Sequence, residues 1–154
     1  MDTQRHEIGM IGLGVMGRNM LLNMADHGFP GAGYDQDPGK VEALQKESAE
    51  HDIHSAADIK DFIGLLRQPR AIMMLVPAGP PVDSVIADLL PLLEKGDLII
   101  DAGNSYFKDT NLRARSLAAK GIQFLGVGVS GGEEGARHGA SIIDRKSTRL
   151  NSSH

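Results

Sequence analysis

The sequence predicts an α/β fold: a doubly wound, mostly parallel sheet, incomplete at its C-terminal end. Three observations predict it. Short apolar runs recur along the chain and lead into glycine. Between them lie segments whose apolar residues fall at helical spacing. One run, Arg70–Pro77 (RAIMMLVP), is continuously apolar, as expected of a strand buried on both faces. Strands that alternate with helices place those helices on both faces of a parallel sheet.

The elements follow in order. Ile8–Gly14 (IGMIGLG) is an apolar run entering glycines. Met16, Met20, Leu21 and Met24 then share a helical face, and Gly28 can close that helix. Gly31–Asp35 (GAGYD) reads as a second strand. Asp37 can cap a helix that has Pro38 at its first position and runs through Val41 and Leu44. Ala56–Leu66 reads as a helix and Arg70–Pro77 as the third strand. Pro80–Gly96 reads as a helix bent at Pro91. Asp97–Gly103 is a fourth strand, followed by a helix from Phe107 to Lys120 that Gly121 ends. Ile122–Val129 is a fifth strand.

Composition narrows the function classes. A chain of 154 residues can bury one real core, and 41% hydrophobic with 23% charged residues is ordinary for a globular domain. A net charge of −4 offers nothing to nucleic acid or an anionic membrane. The absence of cysteine excludes disulfides and thiolate metal sites and fits a cytoplasmic setting. No apolar run approaches a membrane span, and the start carries no signal-peptide core. The six histidines show no metal-ligand spacing, so no metal is expected.

Chemistry enters at Gly12-Leu13-Gly14-Val15-Met16-Gly17, a G-x-G-x-x-G. The pattern is weak alone, but here it leaves a strand and opens a helix, the context of a Rossmann dinucleotide-binding fold. Gly12 permits the tight turn, Gly14 lets backbone approach a pyrophosphate, and Gly17 lets helix and strand pack closely. The helix N-terminus supplies amide donors and a positive dipole end. An acidic residue about twenty positions on accepts hydrogen bonds from a ribose and favours NAD. Asp35 stands there, followed by Gln36 and Asp37 with no arginine nearby. Asp35 also reads as a plain turn aspartate before Asp37-Pro38.

Three stretches carry a family resemblance: GLGVMGRNMLLNMADHGF, DLIIDAGNSYFKDT and GVGVSGGEEGARHGASI. They resemble the N-terminal coenzyme domain of 6-phosphogluconate dehydrogenases, over residues 8 to 143. The related 3-hydroxyisobutyrate dehydrogenases share the glycine turn and a Ser-Gly-Gly, but usually not the run from Gly131 through Glu133, Glu134 and Gly135 to Ala136. Those enzymes, and a non-catalytic dinucleotide-binding module, are the alternative readings.

The resemblance implies roles by position. Gly12, Leu13, Gly14, Val15, Met16 and Gly17 would hold the pyrophosphate. Val76, Pro77 and Ala78 would pass under the adenosine side of the coenzyme. Asn104 would touch both nicotinamide and substrate, and Ser130, Gly131 and Gly132 would bind the sugar acid. The first and fourth strands are expected to flank the switch point where ligands bind. Plainer roles stand beside these. Asn104 could cap the helix starting near Tyr106. Ser130 and Glu133 match a capping box, and Glu133 and Glu134 suit a helix first turn. His138 reads as a loop histidine, and Arg67 and Arg70 as solvated.

The sequence also departs from the family. NADP-dependent members usually carry Asn-Arg where Asp35-Gln36 stand, and lysine where Pro77 stands. The differences imply an NAD-preferring member, because a carboxylate repels the extra phosphate of NADP. The family reaction passes a hydride from C3 of 6-phosphogluconate to the nicotinamide. The resulting keto acid loses CO2, and the enediol is protonated to ribulose 5-phosphate. The resemblance places the general-base lysine, the acid glutamate and the dimer-forming helical domain beyond this chain. No catalytic residue is therefore expected within it, and the fragment alone should be inactive. Asp144–His154 (DRKSTRLNSSH) matches, residue for residue, the translation of a common sequencing-library adapter. Residues 1–143 are thus expected to be the dinucleotide-binding domain, truncated, and 144–154 a non-native tail.

Overall fold

The computed structural model describes residues 6–48, 51–103, 105–130 and 141–144. Its elements run β1 Ile8–Ile11, α1 Val15–Asp26, β2 Gly31–Tyr34, α2 Pro38–Glu47, β3 Ile53–Ala56 and α3 Ile59–Gly64. They continue with β4 Ala71–Met74, α4 Pro80–Leu89, β5 Leu98–Asp101, α5 Phe107–Ala118, β6 Gln123–Ser130 and β7 Ser141–Asp144. Among the described residues the strands form one sheet in the order β3-β2-β1-β4-β5-β6-β7. β1 to β6 are parallel, and β7 runs antiparallel to β6. This is the doubly wound α/β fold that the alternation predicts.

Period-two alternation explains why β4 reads as continuously apolar. Ile72 and Met74 join one core cluster with Phe62, Leu89 and Phe124, while Met73 joins another with Met10, Leu21 and Leu44. Successive side chains thus enter the helical layers on opposite faces of the sheet. Both layers exclude water, so neither face of β4 can be polar.

Several expectations need correction. β3 (IHSA) was not predicted; it lies at the sheet edge, with exposed His54 and half-buried Ser55 between buried ends. β7 was not predicted either, and its last residue is Asp144, the first residue assigned to the tail. Pro91 does more than bend a helix: α4 ends at Leu89 and a 3-10 turn covers Leu90–Leu92. Proline has no N–H to continue the α pattern. The switch point lies between β1 and β4, the strand predicted as third, because β1 pairs with β2 on one side and β4 on the other. Leu98–Asp101, predicted as fourth, lies one strand farther out.

The amino ends of the strands are locked by charge. Asp97, 1% exposed, accepts from the Arg70 amide at 2.7 Å, the Arg70 Nη1 at 3.0 Å and the Glu94 amide at 2.9 Å. Arg70, predicted as solvated, has only 12% of its side chain exposed. Nearby, His6 is buried and joins Leu66 in a parallel bridge ahead of β1. Burial, and then the His54 ring, push the His6 imidazole below its ordinary value against an opposing pull from Asp52. Among the described residues, no helix is long and apolar enough to cross a membrane.

Candidate coenzyme site

The site is built where β1 gives way to α1. Gly12 has φ +99°, and a Cβ there would collide with the Leu75 carbonyl oxygen. A Cβ on Gly17 would strike the Gly12 carbonyl oxygen, so only glycine lets α1 sit this close to the turn. Gly14 differs: a Cβ there would meet open space. Internal packing therefore does not require glycine there.

The α1 N-terminus is bare. Gly14 caps it without a side-chain bond, and its first turn holds no acidic residue. α2 and α3 are closed by aspartates instead. Asp37 accepts from the Gly39 amide at 2.9 Å, and Asp58 from the Asp61 amide at 2.8 Å. The first amides of α1 therefore keep donors available for an anion.

Asp35 sits against this turn. Its Oδ2 accepts from the Leu13 amide at 2.8 Å, and its Oδ1 accepts from the Asp37 amide at 2.8 Å. It is therefore both a turn aspartate and a part of the glycine turn's rim. A carboxylate has about four acceptor positions, so two used bonds leave room for hydroxyl donors. Asp35, Gly12, Gly14, Gln36, Val76 and Pro77 line one cavity of about 250 Å³. Leu13 is buried and contributes its backbone; Val15 and Met16 form the opening turn of α1. Ala78 is exposed and does not line the cavity.

The second half of the expected site falls elsewhere. Asn104, Gly131 and Gly132 lie outside the described residues, as do Glu133, Glu134 and His138. Ser130 is described only as the last backbone position of β6. α5 starts at Phe107 with Tyr106 at its cap, so Asn104 is not the cap of that helix. Gly103 and Ser105 are both tied to the end of β5. Buried Asp101 accepts from the Gly103 amide at 2.9 Å and from the Ser105 hydroxyl.

Four neighbours of the turn escaped the sequence reading. Lys40, in the first turn of α2, brings a cation to the cavity wall, and Asp88 of α4 brings a carboxylate. The readable signal for Lys40 was its place just after the predicted cap Asp37. Arg18 braces the turn: its Nη1 donates to the Leu13 carbonyl at 2.8 Å and its Nε to Glu47 at 3.1 Å. Tyr34 also lines the cavity. Burial, then Asp88, Asp35 and Asp58, push its phenol up, so the wall combines a neutral phenol with a negative field.

Comparison with known proteins shows the family. The family described as the NAD binding domain of 6-phosphogluconate dehydrogenase matches residues 7–144. The decarboxylating 6-phosphogluconate dehydrogenase of Chlamydia pneumoniae is 54% identical over 137 residues, covering 88% of this chain and 29% of that one. Decarboxylating enzyme 1 of Saccharomyces cerevisiae is 53% identical over 138 residues, covering 89% and 28%. Among solved structures, Plasmodium falciparum 6-phosphogluconate dehydrogenase, studied without ligand, with NADP+ and with 6-phosphogluconate, superposes with a TM-score of 0.86. It is 36% identical over 90% of this chain and 30% of its own. A 3-hydroxyisobutyrate dehydrogenase of Salmonella typhimurium gives a TM-score of 0.76 at 26% identity, covering 90% and 47%. The chain spans under a third of the length of these 6-phosphogluconate dehydrogenases.

Proposed function

The chain belongs to the 6-phosphogluconate dehydrogenase family, and on that premise we propose that it seats NAD, in preference to NADP, for the oxidative decarboxylation of 6-phosphogluconate to ribulose 5-phosphate. The observation that carries the coenzyme reading is the bond from the Leu13 amide to Asp35, which draws a carboxylate onto the rim of the glycine turn. The bare α1 amides suit a pyrophosphate, and the open space beside Gly14 lets it approach. Asp35 has acceptor capacity left for the adenosine ribose hydroxyls.

The choice between coenzymes is electrostatic. A 2′-phosphate would meet Asp35 and, farther along the wall, Asp88, with Lys40 as the one cation among the described residues lining this cavity. A lysine is a flexible point charge and does not make the bidentate grip an arginine offers a phosphate. The balance favours NAD. A bound coenzyme would supply the hydride acceptor for the oxidation. The chain's own part is to orient that ring through Asn104 and to offer Ser130, Gly131 and Gly132 to the sugar acid. Proton transfer belongs to residues outside this chain, and those steps typically contribute about 10²–10⁴-fold. The whole enzyme is cytoplasmic and homo-oligomeric in this reading.

The division at residue 143 is part of the same proposal. Asp144 closes β7, which is compatible with a non-native residue because the strand ladder uses backbone groups of any side chain.

Fluorescence titration of NADH and NADPH tests the coenzyme reading, with NADH expected to bind more tightly. Tighter NADPH binding overturns it. Assay of the 154-residue chain with 6-phosphogluconate should give no turnover.

A further inference from the structure

We propose that His6, Asp52 and His54 form a binding site for a divalent transition-metal ion of the zinc type, at the opposite end of β1 from the glycine turn. Each of the three offers a ligand atom, and those atoms lie within 4.8 Å of one another. Linear spacing hides the set, because sheet pairing, not sequence, brings residue 6 beside residues 52 and 54. His54 lies on the edge strand β3, and Asp52 is the residue immediately before that strand.

The backbone holds all three in place, His54 through its pairing with Ala32 of β2. The His6 amide donates to the Leu65 carbonyl at 2.7 Å, and the His6 carbonyl accepts from the Arg67 amide at 2.8 Å. The Asp52 carbonyl accepts from the Gly31 amide at 3.3 Å. The rings of His6 and His54 stand 4.6 Å apart, tilted by 45°.

An independent observation points to a ligand. His6 is only 2% exposed, and its Nδ1 is buried with no hydrogen-bond partner. Buried polar nitrogens are nearly always paired, so an orphan beside a second imidazole and a carboxylate calls for an occupant. Two imidazoles and a carboxylate match the preference of Zn²⁺ and its neighbours Ni²⁺ and Cu²⁺, and not that of Ca²⁺ or Mg²⁺. The remaining coordination positions would be filled by water. The ion would tie the segment ahead of β1 to the sheet edge.

The absence of cysteine keeps the test clean, because no thiolate competes for zinc. The metal-stripped full chain is titrated with ZnCl2 by calorimetry, and its Tm is followed with and without zinc. His54→Gln and Asp52→Asn change exposed side chains, so both variants should fold, which circular dichroism checks. His51→Gln is the control, since His51 faces Asp26 at 3.2 Å. The expected result is one zinc per chain, a Tm that rises with zinc, and binding weakened about tenfold or more in each of the two variants. His51→Gln should bind as the unaltered chain does. A second readout needs no variant: Co²⁺ at the site should give visible ligand-field bands that Zn²⁺ displaces. The proposal is overturned if the unaltered chain shows no saturable zinc binding, if either His54→Gln or Asp52→Asn binds zinc undiminished, or if Co²⁺ gives no displaceable bands.

Discussion

Asp35 and Asp97 sit at opposite ends of the same sheet and are used in opposite ways. Both accept hydrogen bonds from backbone amides. Asp97 takes two amides and a guanidinium and is 1% exposed, so its acceptors are spent inside the protein. Asp35 takes two amides, lines a cavity and keeps acceptor capacity facing outward. The residue type is identical; what differs is whether a cation closes the site. Arg70 reaches Asp97, while Lys40 beside Asp35 makes no comparable ion pair. A saturated carboxylate fastens a fold, whereas a partly saturated one at a strand's carboxyl end keeps acceptor positions unused.

Substitutions can break this contrast in a graded way. The largest effect is expected from Gly12→Val, which strains a positive φ and drives a side chain into the Leu75 carbonyl. NADH binding should vanish in fluorescence titration, with a clear loss of stability. Next comes Asp97→Ala, which removes the buried partner of Arg70 and leaves it only the exposed Glu94 at 3.6 Å. Urea unfolding should show a loss of about 3 kcal/mol, the low end for breaking a buried pair. NADH affinity of the folded fraction should not change, which separates the two aspartates.

Asp35→Asn is smaller and sharper. Hydrogen bonds to a charged group are worth about 1.5–3 kcal/mol, so NADH should bind roughly tenfold or more weakly by titration. NADPH should lose far less, narrowing the preference between the coenzymes. The smallest effect is expected from Lys40→Met. An exposed charge contributes about 1 kcal/mol or less, so NADPH should weaken a few-fold at low salt and hardly at all at high salt. NADH should be unaffected.

How much of this was legible depended on where the signal lay. The glycine turn and Asp35 could be read because their constraints are local: a positive φ, a helix start and a strand tip within one supersecondary unit. β3 could not be read, since an edge strand need not be apolar throughout, and Ile53–Ala56 carries His54 and Ser55 between its buried ends. The same omission moved the switch point, because counting strands without β3 shifts every later one. Arg70 read as solvated because its partner Asp97 lies far along the chain and meets it only through β4–β5 pairing. Asp88 was missed because it reaches the cavity from α4, far along the chain, whereas Lys40, just after the predicted cap, and Arg18, on α1 itself, lay within local segments whose side-chain direction the pattern does not report. The substrate side, Asn104 and Ser130 to Gly132, rests on family likeness, and most of it lies outside the described residues.

The β1–β4 pairing carries a consequence for how the cavity comes into being. Gly9 lies beside Ile72, whereas β1–β2 pairing joins Gly9 to Ala32. Closing the longer loop costs more chain entropy and is expected to be slower. Gly12 and Asp35 come from the nearer pairing, but Val76 and Pro77 reach the wall only once the farther one is made. In a refolding experiment, recovery of NADH fluorescence should therefore lag helix formation and serve as a clock for the long-range closure of the sheet.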